Sequence, residues 1–181
     1  DLLYIAAVGT VIKLLLMNTY RSTDFEVHRN WLAITASTPL HKWYHENTSQ
    51  WTLDYPPFFA YFEWGLANVA QRVDAGMTSV ENLEYASRAT VYFQRISVII
   101  SDAMLLAGIY TFAHTWPSSR LTEAAASRCK VAIVGGLTFL NPGLLIVDHV
   151  HFQYNGIMLG LLLLSLSLIR MGRDLEGATV F

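Results

Sequence analysis

Residues 19–57 hold the first group of side chains that could do chemistry. The carboxylates of Asp24, Glu26, Glu46 and Asp54 share this stretch with His28, His41, His45 and Arg29, and apolar segments lie on either side. Thr23 to Glu26 has the T-x-x-E form of a capping box, which predicts a helix starting at Asp24. Val27, Trp31 and Ile34 then recur at i, i+4 and i+7 on one face, with Asp24, Glu26, His28, Arg29 and Asn30 on the others. Such a helix suits a membrane surface and points its acids toward a polar site. Asp54-Tyr55-Pro56-Pro57 ends one element and opens the next, because proline is favoured in the first turn of a helix and barred from its interior. The second group is Asn141-Pro142 followed by Asp148, His149, His151, Phe152, Gln153, Tyr154 and Asn155, which packs donors, acceptors and aromatic rings into one short run. Asp148, His149 and His151 raise the question of zinc, but their spacing is not H-E-x-x-H and no further ligand set completes it, so no metal is expected.

The elements that must position these groups are set by composition. The chain is 53% hydrophobic and 14% charged, with mean hydropathy +0.34. Soluble domains usually carry about 25% charged residues. This composition predicts an all-α multipass membrane protein with candidate apolar segments at 2–17, 57–73, 92–115, 131–147 and 156–170. Their lengths scatter around the roughly 17–25 residues that cross a hydrocarbon core of about 30 Å. Lys13, Glu63, Arg95 and Asp102 lie inside them and must face a bundle interior or snorkel, since ionisable groups are costly in lipid. If all five segments crossed once, the two polar groups would face opposite sides. One site using both therefore requires a re-entrant or surface-lying segment.

Lys13 reads as a snorkelling lysine. Arg95 and Asp102 stand two helical turns apart, placed for a buried electrostatic network without pairing directly. Residues 74–90 read as a polar connection with a short surface helix from Glu81 to Arg88, and 116–130 as a second connection without chemistry of its own. Trp43, Tyr44, Trp51 and Tyr55 suit a membrane–water boundary, with sugar stacking as the other reading. Asn47-Thr48-Ser49 is a glycosylation sequon that favours a luminal or extracellular loop. A single cysteine, Cys129, excludes an internal disulfide, and a net charge of −2 without a basic cluster gives no reason to expect nucleic acid. The sequence begins without Met and ends soon after an apolar segment, and it is expected to be an N-terminal or near-N-terminal fragment of one polytopic catalytic domain.

Three long motifs carry a resemblance: T-D-F-E-V-H-R-N-W-L-A-I-T at 23–35, W-T-L-D-Y-P-P at 51–57 and D-H-V-H-F-Q-Y-N at 148–155. Together and in this order they resemble the endoplasmic-reticulum glucosyltransferases that use dolichyl-phosphate-glucose while the N-glycan precursor is assembled. The D-F-E-V-H-R-N-W form is closer to the branch adding the second glucose than to the sibling adding the first, for which D-Y-E-A-Q-R-H-W is expected. The resemblance implies a partial GT-C glycosyltransferase fold in the endoplasmic-reticulum membrane, with the 18–57 loop and the active site toward the lumen. It implies a dolichol-linked donor and a dolichol-linked oligosaccharide acceptor carrying one glucose, an α-1,3 product formed with inversion, and no cofactor.

By the same resemblance Asp24 matches the catalytic base. Glu26, His28, Arg29, Asp54, Tyr55, Asp148, His149, His151, Gln153 and Tyr154 are the candidate substrate-binding residues. The competing readings are the sibling activity and a membrane transport module. Broken helices and intramembrane charges also fit a transporter, but no ion site or inverted repeat is visible.

Overall fold

The computed structural model describes residues 2–115 and 123–181, except for the side chains of 123–128. The described residues are helical and irregular, with no strand among them. The chain divides into two compact units. One comprises 17–97; the other comprises 1–16 with 98–181.

In the 17–97 unit, α2 (Thr23–Ser37) packs on α3 (Pro57–Val73) and on a short 3-10 turn, Ala75–Thr78. Pro57 opens α3 as the double proline predicts. Trp31, Ile34, Trp43, Leu53 and Ala60 form one apolar cluster; Leu32, Ala67, Ala70 and Met77 form another. Burial does not follow the expected amphipathic pattern. Phe25 and every residue from His28 to Thr35 are buried, so protein covers the polar residues His28, Arg29 and Asn30 as well as the apolar face.

The capping box does not form either. The helix begins at Thr23, one residue earlier than expected, and Ser22 at the N-cap makes no side-chain cap. Glu26 turns instead to Arg29, accepting from Nη2 at 2.7 Å and Nε at 2.8 Å. A bidentate guanidinium–carboxylate pair is stronger than a single neutral cap. Trp43 is also a core residue, its indole donating to the Thr38 carbonyl at 3.1 Å.

The expected helix from Glu81 to Arg88 is absent. Glu84 has φ +56°, and the chain instead closes around Asp74. The Asp74 carboxylate accepts from Gly76 N at 3.0 Å, from Tyr85 Oη at 3.1 Å and from Ser87 Oγ. These hydrogen bonds, with that of Ser87 first, hold its pKa below the usual carboxylate range. Helix α4 (Arg88–Thr115) starts directly after this knot.

In the other unit, α1 (Leu2–Leu15) contacts α5 (Glu123–Thr138), and α7 (Asn155–Arg170) packs along α8 (Asp174–Val180). Of the expected 116–130 connection, 116–122 lie outside the described residues and 123–130 already belong to α5. Asn141 accepts from Leu144 N at 3.2 Å and starts a short helical turn, α6 (Pro142–Leu144). The chain then runs on as a wider π-helical turn, Leu145–Phe152. Gly160 on α7 lies against the backbone of α4 at Met104 and Leu105, and Gly108 on α4 lies against Gly160, so neither position has room for a Cβ. Small residues allow this backbone approach between apolar helices.

Two stretches among the described residues are long and apolar enough to cross a membrane: Arg88–Thr115 and Cys129–Phe152. Helix α7 is apolar but shorter, and α3 carries the buried Glu63. The chain thus has the all-α, multipass character of a partial GT-C fold, and the two membrane-length stretches contain the expected segments 92–115 and 131–147.

Candidate functional site

Asp24 sits in the first turn of α2, half-buried, beside the fully enclosed Phe25. One turn on, His28 is buried with Nδ1 2.9 Å from Glu63 Oε1. Trp31, Tyr55 and Phe59 surround its ring, with centroids at 5.0, 6.4 and 5.4 Å. Burial pushes the Glu63 carboxyl up, against the opposing pull of the His28 hydrogen bond and charge. Glu63 is a partner that pattern reading missed. It appears in the sequence as a lone acid in an apolar helix, and such an acid requires a partner.

Arg29 is fully buried and its guanidinium is committed throughout. Beyond Glu26, Nη1 donates to the carbonyls of Met77 and Ser79, both at 3.1 Å, and Nη2 also reaches Asn30 Oδ1 at 3.4 Å. Asn30 in turn donates to the Trp51 carbonyl at 2.9 Å. These bonds tie the first half of α2 to two later loops. The structure therefore brings Glu26 together with Arg29, and His28 together with Tyr55, within one unit. Asp54 is exposed and contributes to neither group.

The second motif is organised by Asp148, which is fully buried. Its Oδ1 accepts from Asn155 Nδ2 at 2.8 Å and Asn155 N at 3.2 Å, and its Oδ2 accepts from Gly156 N at 2.8 Å. Asp148 thus accepts from the first N–H groups of α7 and fastens the π-helical turn to that helix. Between them Phe152 is buried with φ +86°, a conformation rarely tolerated by a bulky side chain unless its surroundings impose it.

His149 Nε2 lies 3.1 Å from Asp102 Oδ2, and the same oxygen accepts from Lys13 Nζ at 2.8 Å. Lys13 is 2% exposed and rests 3.5 Å from the centroid of the Phe139 ring. Here the expectation of a snorkelling lysine fails, because the ammonium has a carboxylate partner inside the bundle. Arg95 donates to the Tyr20 carbonyl at 2.9 Å.

Gln153 is half-buried and its Oε1 accepts from Asn155 Nδ2 at 2.8 Å; together with Thr138 and Asn141 the two residues line a cavity of about 530 Å³. Tyr154 is buried, its ring 5.7 Å from that of Phe152, and His151 is exposed. Among the described residues, no three His, Cys, Asp or Glu side chains converge as a metal site requires.

These two constellations stand on segments that match a described family along nearly the whole chain. The model of the ALG6, ALG8 glycosyltransferase family matches residues 9–181. The chain belongs to that family. Within the ALG6, ALG8 family it is similar to the dolichyl pyrophosphate Glc1Man9GlcNAc2 alpha-1,3-glucosyltransferase of Gibberella zeae, 55% identical over 170 residues. That alignment covers 94% of this chain and 32% of the relative. The protein of the same name from Arabidopsis thaliana is 54% identical over 181 residues, 99% of this chain and 34% of the relative. The probable enzyme of that name from Drosophila melanogaster is 54% identical over 180 residues, 98% and 34% respectively. The chain spans about a third of the length of the curated relatives it matches.

Proposed function

We propose that the intact protein containing this chain transfers glucose from dolichyl phosphate β-D-glucose to Glc1Man9GlcNAc2-diphosphodolichol, forming an α-1,3 bond with inversion. The reaction takes place at the endoplasmic-reticulum membrane with the active site toward the lumen, and this chain is an N-terminal or near-N-terminal part of the catalytic domain. Support comes from the specificity shared in the relatives' names and from the 23–35 segment, where Asp24 stands half-buried in the first turn of α2 and Glu26 pairs with Arg29.

Asp24 is the general base. Glu26 is engaged in a bidentate pair with Arg29, and Asp54 is exposed on a loop. In the transfer, the acceptor hydroxyl oxygen bonds to the anomeric carbon while the bond from that carbon to the phosphate oxygen breaks. The hydroxyl proton goes to Asp24, and the electron pair leaves with the phosphate. A phosphate leaving group needs less protonation than an alkoxide, so one carboxylate suffices.

His28 and Arg29 position α2, Asp148 and His149 hold the second motif in place, and Gln153 meets substrate at its cavity. Tyr55 and Asp54 contact sugar from the exposed loop, and His151 and Tyr154 complete the contacts at the second motif.

Asp24→Asn in the intact, membrane-inserted protein at matched abundance tests the assignment. General-base loss lowers turnover by roughly 10²–10⁴-fold with substrate binding retained. Turnover within a fewfold of wild type removes Asp24 from that role. Matched acceptors carrying no glucose or one glucose test the branch: preference for the unglucosylated acceptor assigns the sibling activity instead.

A further inference from the structure

A second cavity, of about 660 Å³, opens within the 17–97 unit where the 18–21 turn meets the start of α4. Asn18, Thr19, Tyr20, Arg21, Arg88 and Tyr92 line it, and no acidic side chain does. Arg21 and Arg88 are both exposed, and neither side chain makes a hydrogen bond or ion pair with another described residue. A third guanidinium stands behind the lining: buried Arg95 donates to the backbone carbonyl of Tyr20. The helix end itself is already closed by Ser87 Oγ, which accepts from Thr90 N at 3.1 Å, so the attraction for an anion comes from the side chains.

We propose that this cleft binds the diphosphate of the lipid-linked acceptor. The inference rests on the proposed glucosyl transfer and adds a recognition site that Asp24 and the second motif do not provide. Guanidinium groups recognise phosphate oxygens through paired, charge-assisted hydrogen bonds. Two uncompensated positive charges match the two negative charges of a diphosphate diester, whereas the donor's phosphodiester carries one.

Depth agrees with charge. Arg88 is the first residue of a 28-residue helix long enough to cross a membrane, so the cleft lies at a helix end, where a lipid's phosphates meet water. Tyr20 and Tyr92, exposed on its rim, have the amphipathic rings enriched at that boundary. Asn18 and Thr19 add neutral donors for the remaining oxygens.

The test uses the intact protein in liposomes and measures both KM values with Arg21→Gln, Arg88→Gln and the double variant. Each single change raises the acceptor KM on the order of tenfold, the effect of losing one charge-assisted contact, with kcat and the donor KM nearly unchanged. An Arg21→Lys/Arg88→Lys variant, which keeps charge without the fork, recovers part of the loss. Unchanged acceptor KM overturns the proposal, and a rise in the donor KM alone gives the cleft to the donor's phosphate instead. Binding of dolichyl diphosphate in phosphatidylcholine vesicles is measured separately from transfer. Wild type that binds these vesicles more tightly than the double Gln variant supports the cleft even if the transfer reaction proves to be another, and equal binding overturns it.

Discussion

Removing either member of the Lys13–Asp102 pair is expected to destabilise the protein strongly, and unequally. The side chains are 1% and 3% exposed with charged atoms 2.8 Å apart. At that separation two unit charges attract by about 6 kcal/mol at an effective dielectric constant of about 20. Desolvation consumes part of this, and breaking a buried pair typically costs about 3–5 kcal/mol, because one charge is left without its counterpart. Asp102→Asn strands the Lys13 ammonium beside the Phe139 ring and falls at the upper end of that range. Lys13→Met costs less, because His149, with Nε2 3.1 Å from the same oxygen, remains as a second basic group beside Asp102. The double variant Lys13→Met/Asp102→Asn carries no stranded charge, so its loss falls short of the sum of the singles by about 2 kcal/mol or more. Unfolding of the intact protein in mild detergent by SDS titration, followed by far-UV circular dichroism, gives all three values. Single variants each within about 1 kcal/mol of wild type, with an additive double, would refute the account of a dry, coupled pair.

Two further outcomes follow from the 17–97 unit. Arg29→Lys retains the charge but offers three donors where the guanidinium uses five, leaving buried carbonyls unsatisfied. Stability in the same SDS titration drops by about 2 kcal/mol or more. Asp74 is held below its ordinary pKa in the folded state, so its stabilising contribution is full above the unfolded carboxylate's pKa and disappears as pH falls through the depressed folded value. Wild type and Asp74→Asn therefore differ in stability at neutral pH and converge in acid, and a difference that persists below both values contradicts the linkage.

Local signals in the sequence placed several elements well. Pro57 opens α3, and Asn141 with Pro142 breaks the apolar run and starts the turn that leads to Asp148. These features depend on backbone chemistry within three or four residues, which a sequence displays directly. Partners distant along the chain were not visible. His28 and Arg29 looked solvent-facing because helical periodicity records polarity and not what covers it. Arg29 is satisfied by carbonyls 48 and 50 residues away, and Lys13 by a carboxylate 89 residues away. The presence of one basic and one acidic group, each inside an apolar segment, was the available sign that Lys13 and Asp102 belong together. Glu81 to Arg88 looked helical by composition, but Asp74, Tyr85 and Ser87 offered the backbone a stronger set of local bonds.

The crossing of Gly108 and Gly160 constrains how this chain can vary over generations. At most packed interfaces a larger residue on one side is accommodated by a smaller one opposite, and lineages drift through such paired exchanges. Here the atoms facing each glycine are main chain: Gly160 for the one, Met104 and Leu105 for the other. No smaller neighbour exists to be selected. The two positions are each barred from change on their own, and no second substitution at the facing site opens a path around that bar.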